Sequence, residues 1–229
     1  MPTLASASAT DDAGYLEPGR FIDSGHPAIG GLAERVTAGI ADQRSKAIAL
    51  YHAIRDGVDY DLYLDYTDPS NFRASGVLAH TRGFCVGKAA LLAASCRAAG
   101  IPARVGYADV RNHMTSRRLY EMMQTDIFTW HSYADIELDG RWVKATPAFD
   151  KALCERIGLA PLEFDGEEDS LFQPIDPEGR RRMEYLNFRG VFADVPVEEI
   201  VADFRVRYPG LFGGDASRGR FREEASGQL

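Results

Sequence analysis

The sequence has 229 residues, a formal net charge of −8, 45% hydrophobic and 26% charged residues, and three cysteines. The acidic balance argues against a general nucleic-acid or anionic-membrane surface, and three irregularly spaced cysteines argue against a disulfide framework or a metal-ligand set. No stretch reaches the ~18 uninterrupted apolar residues of a membrane span, and the N-terminus lacks the basic start and apolar run of a signal peptide. The expectation is therefore a cytoplasmic protein in a reducing compartment, with no nucleic acid, membrane, metal or cofactor as partner. Its oligomeric state is not legible.

Residues 1–14 are small and polar and are expected to be disordered, as is the Gly-, Ser- and charge-rich stretch 213–229. Between them, 15–212 reads as one domain with a core at about 45–150 and an extension at 151–212. Two helices are expected between Pro27 and Arg55, the first capped by Asp23 or Ser24 and the second running from Ser45 to Arg55. Residues 57–82 read as a long ordered loop with short turns, placing His80 in a loop. His52 reads as an ordinary helix residue and His113 as a solvated one.

The stretch from Phe84 to Ala99 is filled with strong helix formers, ends at Gly100 and is stopped by Pro102. At ~1.5 Å per residue it spans roughly 24 Å. Its middle is apolar on nearly every side, which suits a buried central helix. Cys85 lies in the first turn, where unpaired N–H groups and the helix dipole favour a thiolate; Cys96 lies near the opposite end.

After Gly100 the alternation of Ile101, Ala103, Val105 and Tyr107 predicts a strand over 101–110, and 111–129 reads as a short helix or flap. A hairpin follows, with Asp139-Gly140 as its two-residue turn. That turn pairs Leu138 with Arg141, Ile136 with Val143 and Asp135 with Lys144, and the last two are expected to form an ion pair. Continuing the register places His131 on the face of Tyr133 and Asp135, with Thr146 as its diagonal neighbour and Asp150 as a second neighbour. Residues 151–195 read as irregular, and Pro196 to Tyr208 as a helix.

A cysteine at a helix start, followed by a histidine on a strand, is an arrangement for thiol chemistry: the imidazole takes the thiol proton and the thiolate attacks a carbonyl. The stretches GFCVGKAALLAASCRAAGIPARVGY and HSYADIELDGRWVKATPAFD resemble the core of the transglutaminase-like superfamily, over roughly Ala47 to Asp150. The resemblance implies an α+β, papain-like fold in which a central helix bearing Cys85 packs on an antiparallel sheet bearing His131. It implies a cysteine hydrolase or acyltransferase acting on a peptide or small amide through a thioester on Cys85, with His131 as base. The family's third catalytic residue opens an Asp-Pro-Thr run; here the run is Thr146-Pro147-Ala148. Thr146 is neutral, so it orients an imidazole without stabilising its charged form, and Asp150 is the alternative third group. The Cys85 N–H is expected in the oxyanion hole, with a second donor from the loop 57–82. The rival reading is a non-catalytic binding scaffold on the same fold.

Overall fold

A helix with no polar face needs partners on every side. The computed structural model, which describes residues 12–176, 179–213, 219 and 221–224, supplies them for α4 (Cys85–Ala98), in which every residue from Cys85 to Arg97 is buried. Helices α1 (Pro27–Thr37), α2 (Gln43–Gly57) and α3 (Ala74–His80) pack against it. So do β3 (Ala103–Asn112) and β4 (Ile127–Leu138), the middle strands of an antiparallel sheet. The sheet is completed by β5 (Arg141–Ala145) and β6 (Met183–Phe192) in the order β5-β4-β3-β6.

Close packing of α4 depends on two positions in its first turn. A Cβ on Gly87 would stand 2.6 Å from the Asn71 carbonyl oxygen, so only glycine lets the helix approach that segment. The neighbouring Lys88 is wholly buried, and its Nζ donates to the carbonyls of Arg55 at 2.9 Å and Val58 at 2.6 Å. Those carbonyls stand at the end of α2, where helix C-terminal acceptors are otherwise unpaired and cations are favoured.

The hairpin forms with the expected register. Asp139 and Gly140 both have positive φ, 52° and 76°, as a turn matched to the strand twist requires. Leu138 pairs with Arg141, Ile136 with Val143 and Asp135 with Lys144 along the ladder. The ion pairs differ from expectation. Asp135 accepts from Arg104 at 2.8 Å, on the neighbouring strand, while Lys144 bonds Asp169 at 2.6 Å. The Arg104 guanidinium also lies over the Trp142 ring, 3.8 Å from its centroid.

Other elements depart from the sequence reading. His26, rather than Asp23 or Ser24, caps α1, and Asp23 instead binds the backbone and hydroxyl of Ser75. The loop 57–82 contains α3 and two short parallel strands, β1 (Asp59–Tyr60) and β2 (Arg82–Gly83), so His80 ends a helix and is exposed. Within 111–129, α5 (Arg117–Met123) is the short helix. The segment 151–195 is not wholly irregular: it holds α6 (Lys151–Arg156) and the long strand β6. Helix α7 (Val197–Arg207) follows as expected. Of the N-terminal stretch, 1–11 lie outside the described residues, and Tyr15 already packs on Trp142 with ring centroids 5.3 Å apart. Much of 214–229 also lies outside them, but Phe221–Glu224 form a single helical turn, α8.

Two polar residues join the ends of the domain. Arg97 on α4 donates to the carbonyls of Glu17 at 2.6 Å, Ala103 at 2.8 Å and Ala193 at 2.5 Å. Asp194 accepts the backbone N–H groups of Arg20, Phe21 and Ile22. These bonds tie the N-terminal segment to α4 and to the stretch that follows β6. Among the described residues no helix is long and apolar enough to cross a membrane.

Candidate active site

Cys85 is the first residue of α4, preceded by an extended Phe84 at φ −95°. The side chain is turned inward, and the residue is 8% exposed. Burial pushes the thiol pKa up to about 11, against the opposing pull of the backbone N–H groups of Ser132, Val86 and Cys85 itself. The helix start therefore acts on this thiol in the expected direction, but desolvation is the larger effect. Cys96 and Cys154, also buried and free, are raised further, to about 12 each, chiefly by burial.

His131 is set by an irregularity that the sequence pattern did not disclose. Ala108 pairs with His131 but Val110 pairs with Phe128, so Thr129 and Trp130 together stand opposite Asp109. This is a bulge, which re-aims the side chains next to it. Trp130 takes the left-handed φ of 60°, a strained conformation for a large side chain. Asp109 compensates, accepting the Trp130 N–H at 3.3 Å and pairing with Arg189, whose guanidinium also lies 4.6 Å from the Trp130 ring centroid. Beyond the bulge β4 is regular, so His131 keeps the face that its spacing from Tyr133 and Asp135 predicts.

The imidazole is 4% exposed and sits between the rings of Phe172 and Tyr185, with centroids at 5.9 Å and 6.0 Å. Burial lowers its pKa to about 4. Its Nε2 has no hydrogen-bond partner among the described residues, and the same is true of the buried Thr146 Oγ1 and Tyr185 Oη. Tyr185 comes from β6, the strand missed in sequence; its own alternation of Tyr185 and Asn187 carried no apolar signal that would have found it.

The two candidates for the third position are held differently. Thr146 is buried just beyond β5, and its carbonyl lies 3.1 Å from the Tyr51 hydroxyl of α2. Asp150 caps α6, Oδ1 accepting from Leu153 N at 2.9 Å and Oδ2 from Tyr60 N at 3.0 Å. Thr146 Oγ1 makes no hydrogen bond to the imidazole, and both carboxylate oxygens of Asp150 accept backbone N–H groups. The remaining histidines lie elsewhere: His52 pairs with Glu163 at 2.8 Å and His113 faces Glu184 at 3.8 Å. Among the described residues no group of three or more His, Cys, Asp or Glu is gathered in a way that suits a metal ion.

Cys85 and His131 line one cavity of about 40 Å³, whose walls are largely apolar and include Tyr60, Phe149 and Phe221. A cysteine-bearing central helix packed on an antiparallel sheet that carries a histidine defines the papain-like α+β class. Within that class the chain belongs to the transglutaminase-like superfamily, whose sequence model matches residues 30–147. Solved structures are similar to the chain, among them two described as proteases. One, described as a "Putative Cysteine Protease" from Cytophaga hutchinsonii, is 23% identical with a TM-score of 0.48, over 61% of this chain and 43% of that one. The other, a "Putative Protease" from Parabacteroides distasonis ATCC 8503, is 17% identical with a TM-score of 0.36, over 59% of this chain and 25% of that one. The chain thus spans less than half the length of either. No curated protein matches the sequence.

Proposed function

We propose that the protein is a cysteine-dependent hydrolase or acyltransferase that cleaves an amide or peptide bond through a thioester on Cys85, with His131 as general base. The observation that carries this reading is that Cys85, at the start of α4, and His131, beyond the bulge of β4, line the same buried cavity. At rest both groups are neutral, since burial raises the thiol pKa and lowers that of the imidazole. His131 takes the thiol proton as the sulfur attacks the substrate carbonyl. The negative charge then developing on the carbonyl oxygen is met by the Cys85 N–H. Tyr60 supplies the second donor. It lies in the loop expected to provide one, lines the cavity, and has a phenol whose pKa burial raises, so it stays a proton donor. The imidazolium returns its proton to the leaving amine, and water or a second amine resolves the thioester. Thr146 makes no hydrogen bond to the imidazole at rest, so its orienting role requires the two to close together once substrate is bound, while Asp150 is engaged as a helix cap.

The scaffold reading is favoured by one observation, the neutral threonine at the third position, which leaves an imidazolium without a counter-charge. Activity on amides separates the two. Cys85→Ala and His131→Ala each abolish turnover of a peptide-amide panel while the melting temperature changes little, and Thr146→Asp keeps or raises turnover by supplying the missing charge. Wild-type turnover in either of the first two variants would refute the assignment, and a wild type silent across the panel would favour the scaffold.

A further inference from the structure

Phe221 opens α8, a single helical turn in a Gly-, Ser- and charge-rich stretch. A helix this short does not hold itself together, because nucleation costs more than one turn returns. Phe221 is nevertheless only 9% exposed. It is held by Tyr60 and Tyr63, edge-on at centroid distances of 5.9 Å and 6.0 Å, and its N–H donates to Asp61 Oδ1 at 3.3 Å. From Tyr60 the aromatic contacts continue to Phe149 at 4.8 Å, on to Phe172 at 5.0 Å and to His131 at 5.9 Å. Phe221 therefore ends a file of rings that begins at the proposed base.

Its position also decides what the cavity admits. Phe221 lines the space shared by Cys85 and His131, and it lines the neighbouring space of about 290 Å³ where His113 and Arg181 stand. With Phe221 in place, about 40 Å³ remains beside Cys85. That is room for one or a few waters and too little for an amino-acid side chain with its amide. A substrate acyl group needs more space than that, and Phe221 is a cavity residue carried on a single helical turn rather than on a longer element of the core. What holds it is also what would hold a peptide residue: apolar ring edges for an aromatic side chain, and a buried carboxylate, Asp61, for the backbone N–H of that residue.

We propose that the hollow walled by Tyr60, Tyr63 and Phe149 is a subsite for an aromatic residue of the substrate, and that Phe221 of the chain's own C-terminal segment fills it at rest. This rests on the reading of Cys85 and His131 as the reacting pair, and it names the substrate class of that site as peptides carrying an aromatic residue beside the scissile amide. The segment that fills the hollow also shields the thiol, so substrate and tail compete for one place.

Alkylation by iodoacetamide, followed by mass spectrometry at each cysteine of the full chain, tests this. In Phe221→Ala the Cys85 rate is expected to rise at least tenfold while Cys96 and Cys154 stay slow. N-acetyl-phenylalanine amide should then protect Cys85 in that variant, and N-acetyl-alanine amide at the same concentration should not. A chain ending at Gly213 should behave as Phe221→Ala does, and Phe221→Leu should stay close to wild type. An unchanged Cys85 rate in both opened forms, equal protection by the two amides, or acceleration of all three cysteines together would overturn the subsite. Turnover is read separately. Selective opening and aromatic protection without cleavage of any amide would leave the subsite standing and refute the proposed reaction. Turnover indifferent to an aromatic residue would leave the reaction standing and refute the subsite.

Discussion

The imidazole of His131 carries a stability cost that pH exposes. Its pKa is lowered from 6.5 to about 4 because the charged form would be stranded in an apolar surround. Below pH 6.5 the unfolded chain binds a proton that the folded one refuses, so stability is full above that value and falls as pH drops towards 4. The loss by pH 4.5 is of order 2–3 kcal/mol, at about 1.4 kcal/mol per pKa unit. Urea unfolding at pH 7.5 and pH 4.5 is expected to show that His131→Leu loses about 2–3 kcal/mol less than wild type between the two conditions. An identical pH dependence in the two proteins would mean that His131 is protonated freely in the folded state. The candidates at 85, 131 and 146 came from resemblance to the superfamily, while the hairpin register that sets the face of His131 depends on local rules. The ionisation of the pair was not, because desolvation depends on neighbours such as Phe172 and Tyr185 that lie far along the chain.

Two elements show how precisely the site is positioned. The bulge at Thr129–Trp130 sits directly before His131, and the strain at Trp130 is offset by Asp109 and Arg189, contributed by β3 and β6. Helix α4 is positioned by its closest approach, at Gly87. Gly87→Ala places a methyl carbon 2.6 Å from the backbone oxygen of Asn71, which cannot yield as a flexible side chain would. The expected cost is about 1–3 kcal/mol of stability, despite alanine's better helix propensity. Chemical denaturation checks it, and a neutral or stabilising change would show that α4 can move away from the 69–71 segment. The central helix and the hairpin were legible because their signals are local: helix formers ending at a glycine, and alternation on both sides of an Asp-Gly turn. Strand β6 was not. One of its faces is exposed, its register against β3 shifts twice, and its sequence MEYLNFRGVF shows no clean alternation.

At the scale of the whole molecule, the extension beyond the hairpin packs on the core. It supplies β6 to the sheet, Tyr185 to the wall beside His131, and Asp194 to the N-terminal segment. Asp194 receives three consecutive backbone N–H groups that would otherwise be left without acceptors near the core. Asp194→Ala is expected to destabilise the protein by about 1–3 kcal/mol and to release the N-terminal segment first. Hydrogen exchange at Arg20, Phe21 and Ile22 is the measurement. Protection there equal to wild type would show that the segment is held by Phe21 and Ile22 burial alone.

The sequence by itself determined the helix that carries Cys85, the hairpin register that fixes the face of His131, the superfamily, and the neutral residue at the third position. The helix and the hairpin follow from periodicity, turn chemistry and spacing within a short stretch of chain, whereas the superfamily and its third position follow from resemblance to the family. Only the tertiary structure decided that burial outweighs the helix start at Cys85, that a bulge held by Asp109 and Arg189 sets His131, that Asp150 is engaged as a cap, and that Phe221 stands in the cavity. These are contacts between segments as much as 160 residues apart, as in the bond from Phe221 to Asp61. They arise when apolar burial brings remote elements together, and no local pattern encodes which polar atoms will meet or be left without partners when it does.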